Sequence, residues 1–254
     1  MSSLSSISVV MPVYNEELNI GIIVPALLRL LREGDELLIV DGESTDQTVS
    51  AAKALIEQHQ CQDRVRVLSA RKGRANQMNQ GGRQAQGDLL VFLHADTVLT
   101  EQAWAELLVC LEKAKPGVRF WGRFDVVVQG KSKWLPVISW FMNRRSRLTR
   151  IATGDQVIFL TRALFNRIGG YFDQPLMEDI ELCKTLKTQP DAVFLPLPGP
   201  VYTSGRRWDE FGAWATIVLM WRFRWRYWRG ANAFDLARQY SDVRTPPRSL
   251  EKDS

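Results

Sequence analysis

Apolar positions along the first hundred residues switch repeatedly between two spacings. Ile7–Val13 is a short β-branched run ending at Pro12, Val13 and Tyr14, the pattern of a buried strand. Glu17–Arg32 carries Ile20, Ile23, Val24, Leu27, Leu28 and Leu31 at helical spacing and is closed by Gly34. Glu36–Val40 repeats the strand signal and ends at Asp41. Thr45–Gln58 reads as a helix with Ser44 or Thr45 as its cap. Arg64–Leu68 is a third strand, Gly73–Gln86 a third helix, and Asp88–Leu93 a fourth strand running into His94, Ala95 and Asp96. This strict alternation predicts an α/β fold, a mostly parallel, Rossmann-like central sheet with helices on both faces.

After Asp96 the pattern loosens. Glu101–Lys113 reads as a helix, Arg119–Val128 as a strand containing Gly122, and Trp134–Met142 as a short apolar stretch. Val157–Leu160 is an apolar run, Thr161–Ile168 a helix closed by Gly169 and Gly170, and Met177–Leu186 a helix opening on Glu178 and Asp179. No linker rich in Pro, Gly or Ser interrupts the chain, and no segment repeats. The expectation is a single domain over residues 1–240, its second half built onto the same sheet, with a tail over 241–254.

Composition adds little, but charge placement adds more. The 254 residues hold 33 Lys+Arg against 28 Asp+Glu. With 45% apolar residues they exclude a disordered or low-complexity chain. Cys61, Cys110 and Cys183 stand far apart with no CxxC spacing, which argues against a zinc cluster or a disulfide framework and for a reducing, cytoplasmic setting. The start lacks the pattern of a signal peptide, and no uncharged apolar run reaches the roughly 18–20 residues that span a bilayer. Asn143–Arg150 holds four arginines and no acid, and Val201–Gly230 holds six against Asp209 and Glu210. The rest is net acidic.

Five of the nine tryptophans share that second basic segment: Trp208, Trp214, Trp221, Trp225 and Trp228. The stripe Phe211, Trp214, Val218, Trp221, Trp225, Trp228 recurs at spacings of three and four, with Arg222, Arg224, Arg226 and Arg229 among it. It fits either peripheral contact with an anionic membrane, at the inner face, or a core helix with a basic rim.

Polar groups follow all four early strands: Asn15 and Glu16, then Asp41, then Arg71, Lys72 and Gly73, then Asp96. Open α/β sheets bind ligands at that edge. The segments Ser8–Glu16, Asp41–Asp46, Arg71–Asn76 and His94–Asp96, in this order, resemble the family-2 glycosyltransferases of the GT-A fold. Arg145–Thr149, Gly154–Gln156, Gly169–Tyr171, Met177–Asp179 and Thr203–Trp208 look like its radical-SAM/selenodomain-associated subgroup, linked to arsenosugar biosynthesis, and are also similar to carotenoid-acid glycosyltransferases.

The resemblance divides the domain into a nucleotide-sugar half (7–100), an acceptor half (101–210) and a basic, aromatic helical segment (211–240). It implies a nucleoside-diphosphate sugar donor, with UDP-glucose the first guess, and a small-molecule or lipid-linked acceptor. No nucleic-acid partner is expected. Pro12, Val13, Asn15 and Glu16 would line the base and ribose, with Asp41 accepting the uracil N3–H. Arg71 or Lys72 would approach the nucleotide over Gly73. Without the resemblance, Asp41 reads as a turn residue and the basic pair as a solvated helix start.

Asp96 would hold Mg²⁺ or Mn²⁺ across the diphosphate. His94 stands where the family's metal motif has its first acid, and reads better as a buried strand residue than as a ligand. Asp179, with Glu178 as second choice, would be the general base of an inverting transfer, although two acids at a helix start also suit its dipole. Gly154, Asp155 and Gln156 would contact donor sugar or acceptor. Arg206, Arg207 and Trp208 would face the diphosphate. Ser204 stands where related polymer synthases carry glutamine, so processive synthesis is not implied. Two rival readings are a nucleotidyltransferase, whose glycine-rich N-terminal loop is missing, and a non-enzymatic membrane- or polyanion-binding protein.

Overall fold

The computed structural model describes residues 6–115 and 117–244; the side chains of residues 207, 210, 211, 213 and 241–244 lie outside the described set, as do residues 245–254 of the expected tail. The early alternation folds as anticipated: β1 (Ile7–Val13), α1 (Glu17–Leu28), β2 (Glu36–Asp41), α2 (Thr48–Gln58), β3 (Val65–Ser69), α3 (Arg74–Gln84) and β4 (Leu89–Phe92). The chain continues through β5 (Thr97–Leu99), α4 (Glu101–Lys113), β6 (Arg119–Gln129), α5 (Leu135–Thr149), a 3-10 turn (Gly154–Gln156), β7 (Ile158–Thr161), α6 (Arg162–Ile168) and α7 (Glu178–Lys187). It ends with β8 (Ala192–Ser204), α8 (Arg206–Phe211), α9 (Ala213–Trp228) and α10 (Ala233–Arg244).

Among the described residues the eight strands join one sheet in the order β3-β2-β1-β4-β7-β6-β8-β5. β1, β2, β3 and β4 pair in parallel, as do β6 and β8. β7 runs antiparallel between β4 and β6, and β5 antiparallel against β8. Side chains alternate across the sheet. Ile7, Val9, Met11 and Val13 pack against α1, α2 and α4, whereas Val10, Leu38 and Val40 face the layer of α3, α6 and α7. After β3 the strand order reverses, β4 lying on the other side of β1 with α3 on the opposite face from α1 and α2, which opens a crevice at the carboxyl ends of β1 and β4.

Several elements depart from the sequence pattern. α1 stops at Leu28 rather than Arg32. α2 starts at Thr48 rather than Thr45, because the Asp46 carboxylate accepts the Thr48 N–H at 3.0 Å and fixes a turn there. The apolar stretch at Trp134 and the arginine cluster are one continuous helix, α5. β8 carries Pro196, Pro198 and Pro200, which remove ladder donors and mask the strand signal. A register shift between Phe124 and Asp125 of β6 lets it pair along nearly its whole length despite them.

Candidate active site

A cleft of about 450 Å³ lies at the crevice. Pro12, Val13, Tyr14 and Glu16 line it from the end of β1; Lys72, Gly73, Arg74 and Gln77 from the start of α3; His94, Ala95 and Asp96 from beyond β4. Thr153, Gly154 and Asp155 line the opposite wall with Met177, Glu178 and Asp179. Met220, Phe223 and Arg224 of α9 and Tyr240 of α10 close over it. α9 is thus neither wholly solvated nor wholly core.

Local backbone strain aims the acids. Met177 (φ 65°) and Val157 (φ 50°) adopt the left-handed region, unusual for side chains of their size. Such strain costs on the order of 1–3 kcal/mol and persists where surrounding structure enforces it. Met177 caps α7, so Glu178 and Asp179 enter the cleft from its first turn. Asp179 is anchored: one oxygen accepts the Gly154 N–H at 3.1 Å and the other the Ile180 N–H at 2.8 Å.

Burial governs the charges there. Glu178 is buried, and its carboxyl is pushed up to about 7 by that burial and by Asp179 beside it, against the pull of Arg74. Burial also raises Asp179, while its two backbone donors, Arg74 and Arg145 draw it down. Arg74 is the cation at the centre. Its side chain keeps an exposed face, and desolvation by the cleft works against its charge, but Glu178, Asp155, Asp96 and Asp179 outweigh that and hold its pKa above the ordinary value. Arg145 stands near Asp179 with Nε and Nη2 buried and without hydrogen-bond partners.

Asp96 is exposed at the cleft, and its backbone carbonyl accepts the Ser204 N–H at 3.2 Å. The β5–β8 pairing therefore brings the start of α8 beside the acid; burial holds the Glu16 carboxyl above its ordinary value, against the Asn19 hydrogen bond and the charge of Arg206. Among the described residues no group of three or more His, Cys, Asp or Glu side chains is placed to hold a metal ion. One open carboxylate nonetheless suits Mg²⁺ or Mn²⁺, which are commonly held by one or two carboxylates plus substrate phosphates. His94 is buried against Gly154, where an added Cβ would lie 2.1 Å from the imidazole Cε1.

Ten of the residues assigned a binding or catalytic role from the sequence line the cleft: Pro12, Val13, Glu16, Lys72, Gly73, Asp96, Gly154, Asp155, Glu178 and Asp179. Others are engaged beside it. The Asp41 carboxylate accepts the N–H groups of Glu43 and Ser44, and Asn15 accepts the Thr45 N–H at 2.8 Å. Arg71 pairs with Asp173 at 3.1 Å. Gln156 is fully buried and donates to Asn143 and Ser146. Trp208 packs on the core, and the Arg207 side chain lies outside the described residues.

Tyr14, Arg74, Gln77 and Arg145 carry no role of their own in the sequence pattern, and Arg224, expected in the basic stripe of a membrane-facing or core helix, lines the cleft instead. Lys72 Nζ sits 3.8 Å from the centre of the Tyr14 ring. Buried Gln77 donates to the carbonyls of Val13 and Val40 at 2.7 and 2.9 Å. Arg74 and Arg145 lay inside quoted motifs, which was the available signal.

The family model for glycosyl transferase family 2 matches residues 8–168. A probable glycosyltransferase, YdaM, of Bacillus subtilis (strain 168) is 26% identical over 198 residues, covering 72% of this chain and 46% of that one. The chain spans less than half the length of the curated relatives it matches. Among solved structures, the mannosyltransferase PcManGT from Pyrobaculum calidifontis, in complex with GDP-Man and Mn²⁺, aligns with a TM-score of 0.64 at 21% identity, covering 93% of this chain and 67% of that one. The glucosyl-3-phosphoglycerate synthase from Mycobacterium tuberculosis, in complex with Mn²⁺, UDP and phosphoglyceric acid, aligns at 0.58 and 21% identity, covering 83% and 75%. At these identities the likeness shows the fold.

Proposed function

Since the chain belongs to glycosyl transferase family 2, we propose that its cleft transfers a sugar from a nucleoside-diphosphate sugar, UDP-glucose being the first candidate, to an acceptor hydroxyl with inversion. The observation that carries this reading is the convergence of Asp96, Asp155, Glu178 and Asp179 around Arg74 in one cleft at the carboxyl edge of the sheet.

The nucleotide lies over Pro12 and Val13, with Lys72 and Tyr14 at its side. Asp41 and Asn15 shape the turns that wall this end through their backbone hydrogen bonds. Gly73, with φ +134°, leaves the chain there open to the ligand. Asp96 would hold Mg²⁺ or Mn²⁺, which when bound would neutralise charge on the departing diphosphate. Arg206, beside Glu16, faces the same phosphates. Asp179 takes the proton of the attacking acceptor hydroxyl. Its two backbone donors fix its orientation, and its raised pKa suits a base that works near neutral pH. Glu178, its carboxyl pushed up to about 7 by burial and by Asp179, keeps its proton toward neutral pH. The motifs at Arg145–Thr149 and Thr203–Trp208 support a place in the radical-SAM/selenodomain-associated subgroup and an acceptor of that class, small or lipid-linked.

Calorimetric titration of UDP-glucose and UDP, with and without Mn²⁺, tests the donor site. Binding that needs Mn²⁺ and is lost in Asp96→Asn is the expected result. Binding of neither ligand, with the protein folded, would overturn the assignment.

A further inference from the structure

Six of the nine tryptophans are exposed, although tryptophan is ordinarily among the more buried residues. On α9, Trp214, Val218, Trp221, Trp225 and Trp228 are 58–76% exposed. At 3.6 residues per turn these five positions fall within a sector of about 80°. The opposite side of the same helix buries Phe223 and Thr216 and turns Met220 to the cleft. Arg222, Arg226 and Arg229 flank the aromatic stripe along one edge, and Arg229 lies 5.3 Å over the Trp225 ring. On α5, Val137, Trp140 and Phe141 are exposed as well, the last two in edge-to-face contact. Trp134, just before α5, meets Trp214 at 5.2 Å between ring centres and ties the two helices into one face.

We propose that this α5–α9 face docks the protein on an anionic bilayer surface, with the indoles at headgroup depth and the arginines on lipid phosphates. Among the described residues these rings stay exposed, which is not the burial of a core helix. Three observations select a lipid surface as the occupant. Rings with one polar edge suit the boundary between headgroup and acyl chain. The flanking charge is of one sign and complements an anionic leaflet. A second copy of the chain related by a two-fold axis would instead bring like-charged arginine edges together. Among the described residues no helix is long and apolar enough to cross a membrane, so α9 lies along the surface. Because its inner side closes the cleft, docking sets the cleft mouth at the bilayer. This inference goes beyond the transfer reaction, and its assay reads no turnover.

The test is flotation of the whole chain with vesicles of equimolar phosphatidylglycerol and phosphatidylcholine, and with phosphatidylcholine alone, at low and high salt. The expected result is binding to the anionic vesicles, weakened by salt, with tryptophan emission quenched by brominated lipid. Arg222→Gln/Arg229→Gln should lower partitioning about tenfold or more, and Trp221→Ala/Trp225→Ala/Trp228→Ala at least as much, with unchanged UDP binding as the check on folding. Should the triple variant misfold, Trp140→Ala/Phe141→Ala on α5 supplies the same readout. Protein that stays unbound with both vesicles, or variants that float like the parent, would overturn the proposal. So would a dimer in sedimentation velocity that Trp221→Ala dissociates.

Discussion

The Gly154 N–H donates to the Asp179 carboxylate at 3.1 Å, joining the turn before β7 to the first turn of α7. Gly154 must be glycine for this contact, because a Cβ there would lie 2.1 Å from the His94 ring. Asp179→Asn should therefore lower turnover by about 10²–10⁴-fold while donor binding persists. Gly154→Ala should lower kcat through displacement of the same carboxylate and cost about 1–3 kcal/mol of stability. Steady-state kinetics beside calorimetric titration separates the two effects. Full turnover in Asp179→Asn would reject it as the base.

Glu178 predicts a pH-dependent stability of definite sign. Its ordinary value is 4.5 and its folded value about 7. Between these the folded chain keeps a proton that the unfolded chain has lost. The group's contribution is thus fully present below about pH 4.5 and falls as pH rises toward 7. Glu178→Gln cannot ionise, so it should match the parent near pH 4.5 and exceed it by about 2–3 kcal/mol at pH 8. Urea denaturation across that range reads the difference. Parallel pH curves for the two proteins would show that Glu178 is not held protonated.

How far the sequence discloses this arrangement depends on what each residue contacts. β1, β2 and β4 are covered on both faces, so their signal is a continuous apolar run between turns. β8 escapes the same reading because Pro196, Pro198 and Pro200 sit in a strand whose ladder tolerates them through a register shift. Asp96 and Asp179 stand where fold topology puts chemistry, after a strand and at a helix start. Arg74 also stands at a helix start and keeps an exposed face, so nothing local shows that four carboxylates from three distant segments act on it. Asp41 and Gln156 show the converse: their polar groups hold a turn and a buried network. Only tertiary placement distinguishes these cases.

Arg74 should set the acid limb of the rate profile. Its charge draws down the pKa values of both Glu178 and Asp179. In Arg74→Met both carboxyls rise further, so the pH below which kcat/KM declines should move upward, toward the alkaline side. Donor affinity should fall at the same time, since a cleft left with uncompensated acids repels a diphosphate. A profile of kcat/KM against pH checks this. An acid limb unmoved in Arg74→Met would mean that the guanidinium does not control the pair.

Gln77 offers a test of how the sheet shapes the donor end of the cleft. Its side-chain amide bridges the carbonyls of Val13 and Val40 at the ends of β1 and β2. A Cβ on Gly42 would lie 2.7 Å from Gln77 Cδ, so the amide also fixes where the Gly42 turn runs. Gln77→Leu keeps the bulk but removes both donors, leaving buried carbonyls less satisfied at a cost of about 1–3 kcal/mol. The Val13 floor and the Gly42 turn then lose their common strut. UDP affinity should fall about tenfold, equivalent to about 1.4 kcal/mol, with kcat for bound donor little changed, because Asp179 lies on the far wall. Unfolding in urea and titration with UDP on the same preparation would show both losses together. A destabilised variant with parental UDP affinity would mean that Gln77 supports the sheet and not the donor site.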